Sequence, residues 1–388
     1  MATPQTQIEV AVSPPVLRWA RESAGVSRSE AAAHVHLPEE VLSAWEGGLQ
    51  KPSLHHLRNL AGFYARPLAA LLLPEPPSAP PLPVDFRRGQ GDRSVRLGRK
   101  TRLALRTSNR LQVAAAELAE VPQFPVGVAT IADNVDEAAR RERGHLGIDL
   151  HQQIVWEDNY AALRAWREAV QDRGAFVFQL PMPSKELRGF SLSQTSPPVI
   201  VFSSSDSPAA RIFTLIHEYG HLLLGTGGMC LPDTAPGSGR SVIAEESFCN
   251  SFAGALLVPV DDLLSFVAAH SPIADDLVPP DEALTPMASR YNVSRQVIWY
   301  RLFAAGVVSE SVFRAKWAEW RGRPAPKPSS GGKGRTSAER AMAQYGSSFV
   351  GVVLTAHESG RLSTSDALDY LSIHTRHWAE LTHLAGVA

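Results

Sequence analysis

Apolar positions recur at helical spacing through most of the chain and run together in only a few places. Near the start, Val16, Leu17, Ala20 and Ala24 share one helical face behind Ser13-Pro14-Pro15, and Gly25 stops it. Ser27-Arg28-Ser29-Glu30 has the spacing of a capping box, which predicts a second helix through Val35. A third carries Val41, Leu42 and Trp45 as far as Gly47-Gly48, and a fourth carries Leu54, Leu57, Leu60 and Ala61. A short apolar turn follows Pro67. Helical patterns resume from about Leu97 to Arg173. Two apolar runs bounded by Gly and Pro, Ala175–Leu180 and Val199–Phe202, read as strands. Asp206-Ser207-Pro208 then caps a helix that Gly225 ends near Leu224. Another helix spans about Val242 to Val258 and stops at Pro259, with more helices to about Trp320. The segment Tyr345–Leu384 shows helical faces, with a cap region at Ser363–Asp366.

Composition turns this pattern into an organisation. Proline-rich 74–86 and Pro/Gly/Ser-rich 322–337 read as linkers. They separate an all-α head, residues 1–73, from a larger domain, 87–321, which is mainly α with a small β-sheet. A small helical segment, 338–388, follows. With 44% hydrophobic residues in 388, real cores are available. The balance of 38 Lys+Arg against 39 Asp+Glu excludes a globally basic nucleic-acid coat. Two cysteines exclude a disulfide scaffold and a Cys-rich zinc module. Met1–Val12 lacks the basic and apolar regions of a signal peptide, and no run approaches the ~20 apolar residues of a membrane span. A cytoplasmic protein with no membrane partner is expected.

The most informative residues are His217-Glu218-Tyr219-Gly220-His221, the pattern H-E-x-x-H inside a predicted helix. Positions i and i+4 lie one turn apart on one face, so both imidazoles can reach one ion at ~2.0–2.1 Å. Glu218 is rotated ~100° from His217, beside the ion, where it can hold a water. With 13 His in the chain, this pattern arises by chance on the order of a few per cent of the time. A catalytic zinc needs a third protein ligand. Glu246, which flanks the apolar face of the next helix, is that candidate, whereas Glu245 is expected to be solvated. Asn250, one turn after Glu246, either orients it, packs or is a polar surface residue. Tyr219 points away from His217 and is expected in the core.

These stretches resemble the ImmA/IrrE family of zinc metallopeptidases. The resemblance is carried by Gly189-Phe190-Ser191, the run PPVIVF, FTLIHEYGHLLL, and E-x-x-C-N-x-F-A-x-x-L-L-x-P from Glu246 to Pro259. Cys249 stands where the family usually has Ala, and Ser203 where the strand usually ends in Asn. The resemblance implies an α+β, zincin-like domain in which His217, His221 and Glu246 bind Zn2+ and Glu218 is the catalytic acid. It further implies an endopeptidase that cleaves a cognate helix-turn-helix repressor and so derepresses stress, phage or mobile-element genes. If the strand Val199–Phe202 lies at a sheet edge, an extended peptide can pair with it.

The head is similar to XRE-type helix-turn-helix domains through W-E-G-G-L-Q-K-P-S and L-x-x-L-A-x-x-Y-x-x-P-L. Its third helix, about Glu39–Glu46, would then enter the major groove of DNA. Yet that helix begins with two acids, and from Pro14 to Leu73 six Lys/Arg face five Asp/Glu. DNA binding and a dimerisation or repressor-docking role both stay open, as does the alternative of a DNA-binding transcriptional regulator or antitoxin whose peptidase fold senses or docks a partner without cutting. A second helix-turn-helix-like segment, 284–306, places Arg290, Arg295 and Arg301 where they can meet phosphate. The resemblance to the peptidase family places this segment in the peptidase module, which implies substrate docking or core packing rather than DNA binding.

Overall fold

A computed structural model describes residues 8–77, 97–120, 123–227, 229–230, 244–270, 278–321 and 334–386. Residues 78–86 of the first expected linker, most of the loop Gly227–Gly239 and residues 322–333 of the second linker lie outside the described residues. The chain divides into two compact units, Met1–Thr107 and Ser108–Ala388.

The first unit holds α1 (Pro14–Ser23), α2 (Arg28–His34), α3 (Glu39–Glu46), α4 (Leu54–Phe63), α5 (Leu68–Leu71) and the start of α6 (Arg99–Leu118). The capping box forms as the sequence predicts, with Ser27 and Glu30 exchanging bonds. Leu17, Ala20, Ala31, Leu42, Trp45, Leu57 and Leu60 make the core. Beneath α3 lies a group that periodicity does not reveal. The Glu46 side chain is 2% exposed, and Arg21 grips it through both oxygens, at 2.6 and 3.0 Å. Arg28 adds a bond at 2.9 Å. The unit runs past residue 73 because arginines of α6 serve the end of α4. Arg99 donates to the Phe63 carbonyl at 2.7 Å, and Arg106 donates to the carbonyls of Tyr64 and Ala65. Those are the oxygens a helix end leaves unpaired.

The second unit continues with α7 (Val135–His145), α8 (Leu150–Ile154) and α9 (Asn159–Asp172), then β1 (Phe176–Leu180), β2 (Gly189–Leu192) and β3 (Val199–Ser203). After α10 (Pro208–Leu223) come β4 (Met229–Cys230), α11 (Ala244–Leu257), α12 (Val260–His270), α13 (Asp281–Tyr291), α14 (Arg295–Ala304) and α15 (Glu310–Arg321). The chain closes with α16 (Ser337–Glu358, interrupted at Gly346), α17 (Thr364–Leu371) and α18 (Trp378–Leu384). The expected class, mainly α with a small sheet behind an all-α head, is what the structure shows.

The sheet order is β1-β3-β2-β4, with β1 parallel to β3 and β2 antiparallel to both β3 and β4. This corrects the expectation of an edge strand at Val199–Phe202. That strand is β3, hydrogen-bonded on both sides, so no peptide can add to it. Two strands escape the sequence reading: β2 is four residues containing Gly and Ser, and β4 is two residues, both too weak a strand signal to stand out.

The two faces of the sheet are covered differently. Val177, Ile200 and Phe202 face the main core with Trp166 of α9 and Ile212, Leu215 and Ile216 of α10. On the other face, Phe349 of α16 packs edge-on to Phe176 and Phe178, with ring centres 5.9 and 5.4 Å apart. The C-terminal segment is thus a layer of this unit.

The helix-turn-helix-like pair is α13 and α14, and one face of it packs in the core. Met287, Tyr291, Ile298 and Leu302 are buried. Arg290 pairs with Asp262 at 3.0 Å, Arg295 with Asp281 at 3.4 Å, and Arg301 with Asp136 at 2.6 Å. Arg301 is buried in its pair, which corrects the expectation that it can meet phosphate, whereas Arg290 is partly exposed and Arg295 exposed. Among the described residues, no single helix is long and apolar enough to cross a membrane.

Candidate metal centre

The site is built on α10. Ser207 caps it by accepting from the Ala210 amide, and Pro208 fills its first turn. His217 and Glu218 are fully buried and His221 is 2% exposed, so the helix is held on nearly all sides. Two glycines set how closely its neighbours approach. A Cβ on Gly220 would stand 3.2 Å from the Phe252 ring and 3.3 Å from Cys249 Sγ, so its absence lets α11 lie against α10. A Cβ on Gly189 would stand 2.8 Å from the Val201 carbonyl and run into Thr214, so only glycine lets β2 press onto the other side of the helix.

The close approach of α11 brings in Glu246. Its carboxylate lies 3.3 Å from His217 Nε2 and 3.1 Å from His221 Nε2, and the two imidazole nitrogens are 3.2 Å apart. The three side chains form a His/His/Glu group whose donor atoms all lie within 4.8 Å of one another. An ion held tetrahedrally at ~2.0–2.1 Å needs donors about 3.3 Å apart. The donor set and its spacing therefore fit a metal ion. His221 Nδ1 meets Thr226 Oγ1 at 3.2 Å, and that hydroxyl also reaches the His221 carbonyl at 3.4 Å. With Nδ1 donating to Thr226, loss of the Nε2 proton leaves a lone pair facing the other donors.

Glu218 sits beside this group. Ser191 Oγ of β2 donates to its Oε2 at 2.8 Å, while Oε1 is buried with no hydrogen-bond partner among the described residues. Burial pushes the carboxyl up, and the nearby His221, His217 and Ser191 only partly offset it. At Glu246, burial acts in the same sense but the bonds to His217 and His221 outweigh it, and the carboxyl falls below its usual range. At His221, burial opposes the charged form, yet hydrogen bonding to Cys249 and Glu246 raises its pKa well above the ordinary value.

Tyr219 takes the opposite side of α10. It is buried, and its hydroxyl donates to Glu142 Oε2 at 2.7 Å. Asn250 is 6% exposed in α11, and Glu245 is part-exposed. Ser191 and Thr226 are the contributors that spacing does not reveal. Thr226 lies beyond the helix end, and Ser191 was legible only as part of a resemblance, with no role attached.

Residues 170–303 match the profile of a peptidase family described as the IrrE N-terminal-like domain, and residues 17–71 match a helix-turn-helix profile. The chain matches an ImmA/IrrE protein with an N-terminal XRE-type helix-turn-helix. The IrrE-like match covers the sheet, α10 and α11 together, so every donor of the His/His/Glu group falls inside it. This is a metallopeptidase family, in keeping with a group that can bind a metal. No curated protein matches the chain.

Proposed function

We propose that the chain is a zinc-dependent endopeptidase, with His217, His221 and Glu246 as zinc ligands and Glu218 as the catalytic residue. The observation that supports it most is the convergence of two Nε2 atoms and one carboxylate, at 3.1–3.3 Å, beside a buried carboxylate with one oxygen unpartnered among the described residues. Zinc in such a set supplies a Lewis acid that polarises a peptide carbonyl and makes water acidic near neutral pH. Glu218 Oε1 takes the proton of the attacking water and later returns it to the leaving amine. A regulator that only docks a partner has no need of that carboxylate.

The substrate we propose is a helix-turn-helix repressor, whose cleavage would derepress stress, phage or mobile-element genes. The resemblance to the family implies it, and the chain's own helix-turn-helix head suits a protein working at the same promoters. In the head, α3 presents Glu39, Glu40 and Ser43 to solvent. Any contact with DNA phosphates therefore falls to the surrounding Arg and Lys, and modest, salt-sensitive affinity is expected. Incubation of the zinc-loaded chain with candidate helix-turn-helix repressors, with fragments read by mass spectrometry, tests the activity. Intact repressors throughout would leave the docking regulator in its place.

A further inference from the structure

Residues of β2 alternate between the two faces of the sheet. Pairing with β3 sets Gly189 opposite Phe202 and Ser191 opposite Ile200, on the face that meets α10. Phe190 and Leu192 go to the other face. Gly189 and Ser191 thus act on α10 together. The bare Gly189 lets the strand close on Thr214 and Glu218, and Ser191, 1% exposed, then reaches Glu218 Oε2 at 2.8 Å.

We infer that Ser191 is a positioning residue that ties down one oxygen of Glu218 and leaves the other to carry the proton. The terminal torsion of a glutamate is broad and two-fold, so a free carboxylate presents either oxygen at many angles. A hydroxyl on a strand hydrogen-bonded on both sides has no such freedom. Its bond removes the equivalence of the two oxygens and sets the direction in which Oε1 points. The inference rests on the role proposed for Glu218, and the test below separates the two.

The test uses the full chain loaded with zinc, and acetohydroxamate as the probe. A hydroxamate on zinc needs an acceptor carboxylate beside the metal, so its affinity reports where Glu218 points without any peptide substrate. Ser191→Ala is expected to keep zinc affinity within about two-fold and to lose ~10–100-fold in acetohydroxamate affinity, the usual effect of removing a partner that orients a metal-site group. Ser191→Thr keeps the hydroxyl and should restore binding to within a few-fold. Crystal structures of wild type and Ser191→Ala without metal should show the Glu218 carboxylate rotated in the variant. Should Ser191→Ala fail to fold, Ser191→Cys keeps the size with a weaker donor and should show an intermediate loss. Wild-type acetohydroxamate affinity in Ser191→Ala or Ser191→Cys, with the affinity lost in Glu218→Gln, overturns the positioning role alone. Wild-type affinity in Glu218→Gln overturns the role of Glu218, and the inference with it.

Discussion

His221 Nε2 and the Glu246 carboxylate meet at 3.1 Å, although the second residue follows the first by twenty-five positions and lies on another helix. Gly220 makes the meeting possible, because it removes the side chain that would hold α11 away from α10. The His/His/Glu group is therefore a property of helix packing as much as of the H-E-x-x-H pattern.

If these residues hold zinc, purified protein should contain about one zinc per chain. His217→Ala and His221→Ala should each lose it, since two remaining donors make too weak a site. Glu246→Ala should weaken binding markedly, and Glu245→Ala should not. Metal analysis after dialysis checks this. Full occupancy in both histidine variants would remove the assignment.

Glu218→Gln should keep the zinc and the fold and lose cleavage. The amide is nearly isosteric but takes up no proton, and losing a general base lowers rates by ~10²–10⁴. The same repressor incubation, run with wild type and variant side by side, measures the ratio. Equal fragment yields would point to a different base.

The head should be acid-labile through Glu46. Burial alone would raise its pKa, but Arg21 and Arg28 outweigh burial and hold it below the usual value. A folded-state pKa below the unfolded one means the stabilisation is present above the unfolded value of about 4.3 and fades as pH falls through the folded one. Denaturant melts followed by the fluorescence of Trp45, between pH 7 and pH 3, should show this loss in wild type and little of it in Glu46→Gln. At pH 7, Arg21→Ala should destabilise by ~3–5 kcal/mol, because it leaves a carboxylate buried with half its partners gone. An Arg21→Met, Glu46→Leu pair should recover much of that.

Phe349→Ala should destabilise the second unit by ~3–5 kcal/mol, as expected for a fully buried aromatic removed from a core. Its ring is part of the layer over Phe176 and Phe178. Calorimetry should show a lower transition for this unit while the transition of the head stays in place. An unchanged melting profile would mean that α16 adds little to the sheet it covers.

Much of the fold and the centre of the site were legible without coordinates. The bounds of α3, the capping box at Ser27 and Glu30, the strands at 176–180 and 199–203 and the cap before α10 all follow from groups within a few residues of one another. So does the placing of His217 and His221 on one face, because helical geometry fixes what lies one turn away. Glu246 needed more, since its position flanking an apolar face leaves both a ligand and a solvated acid open, and its approach to His217 and His221 is visible only once its helix is placed.

Only the tertiary structure decided the rest. It put β3 in the middle of the sheet, since strand order depends on which distant segments pair. It buried Arg301 against Asp136 and paired the more exposed Arg290 and Arg295 with Asp262 and Asp281, because those partners lie on other elements. It gave Ser191 a carboxylate to hold, through a strand too short to stand out and a glycine whose use is visible only against Thr214 and Val201. Periodicity and capping are local and survive in one dimension. Contacts between elements are set by how whole faces pack, and one residue of sequence carries almost nothing about its neighbour across a core.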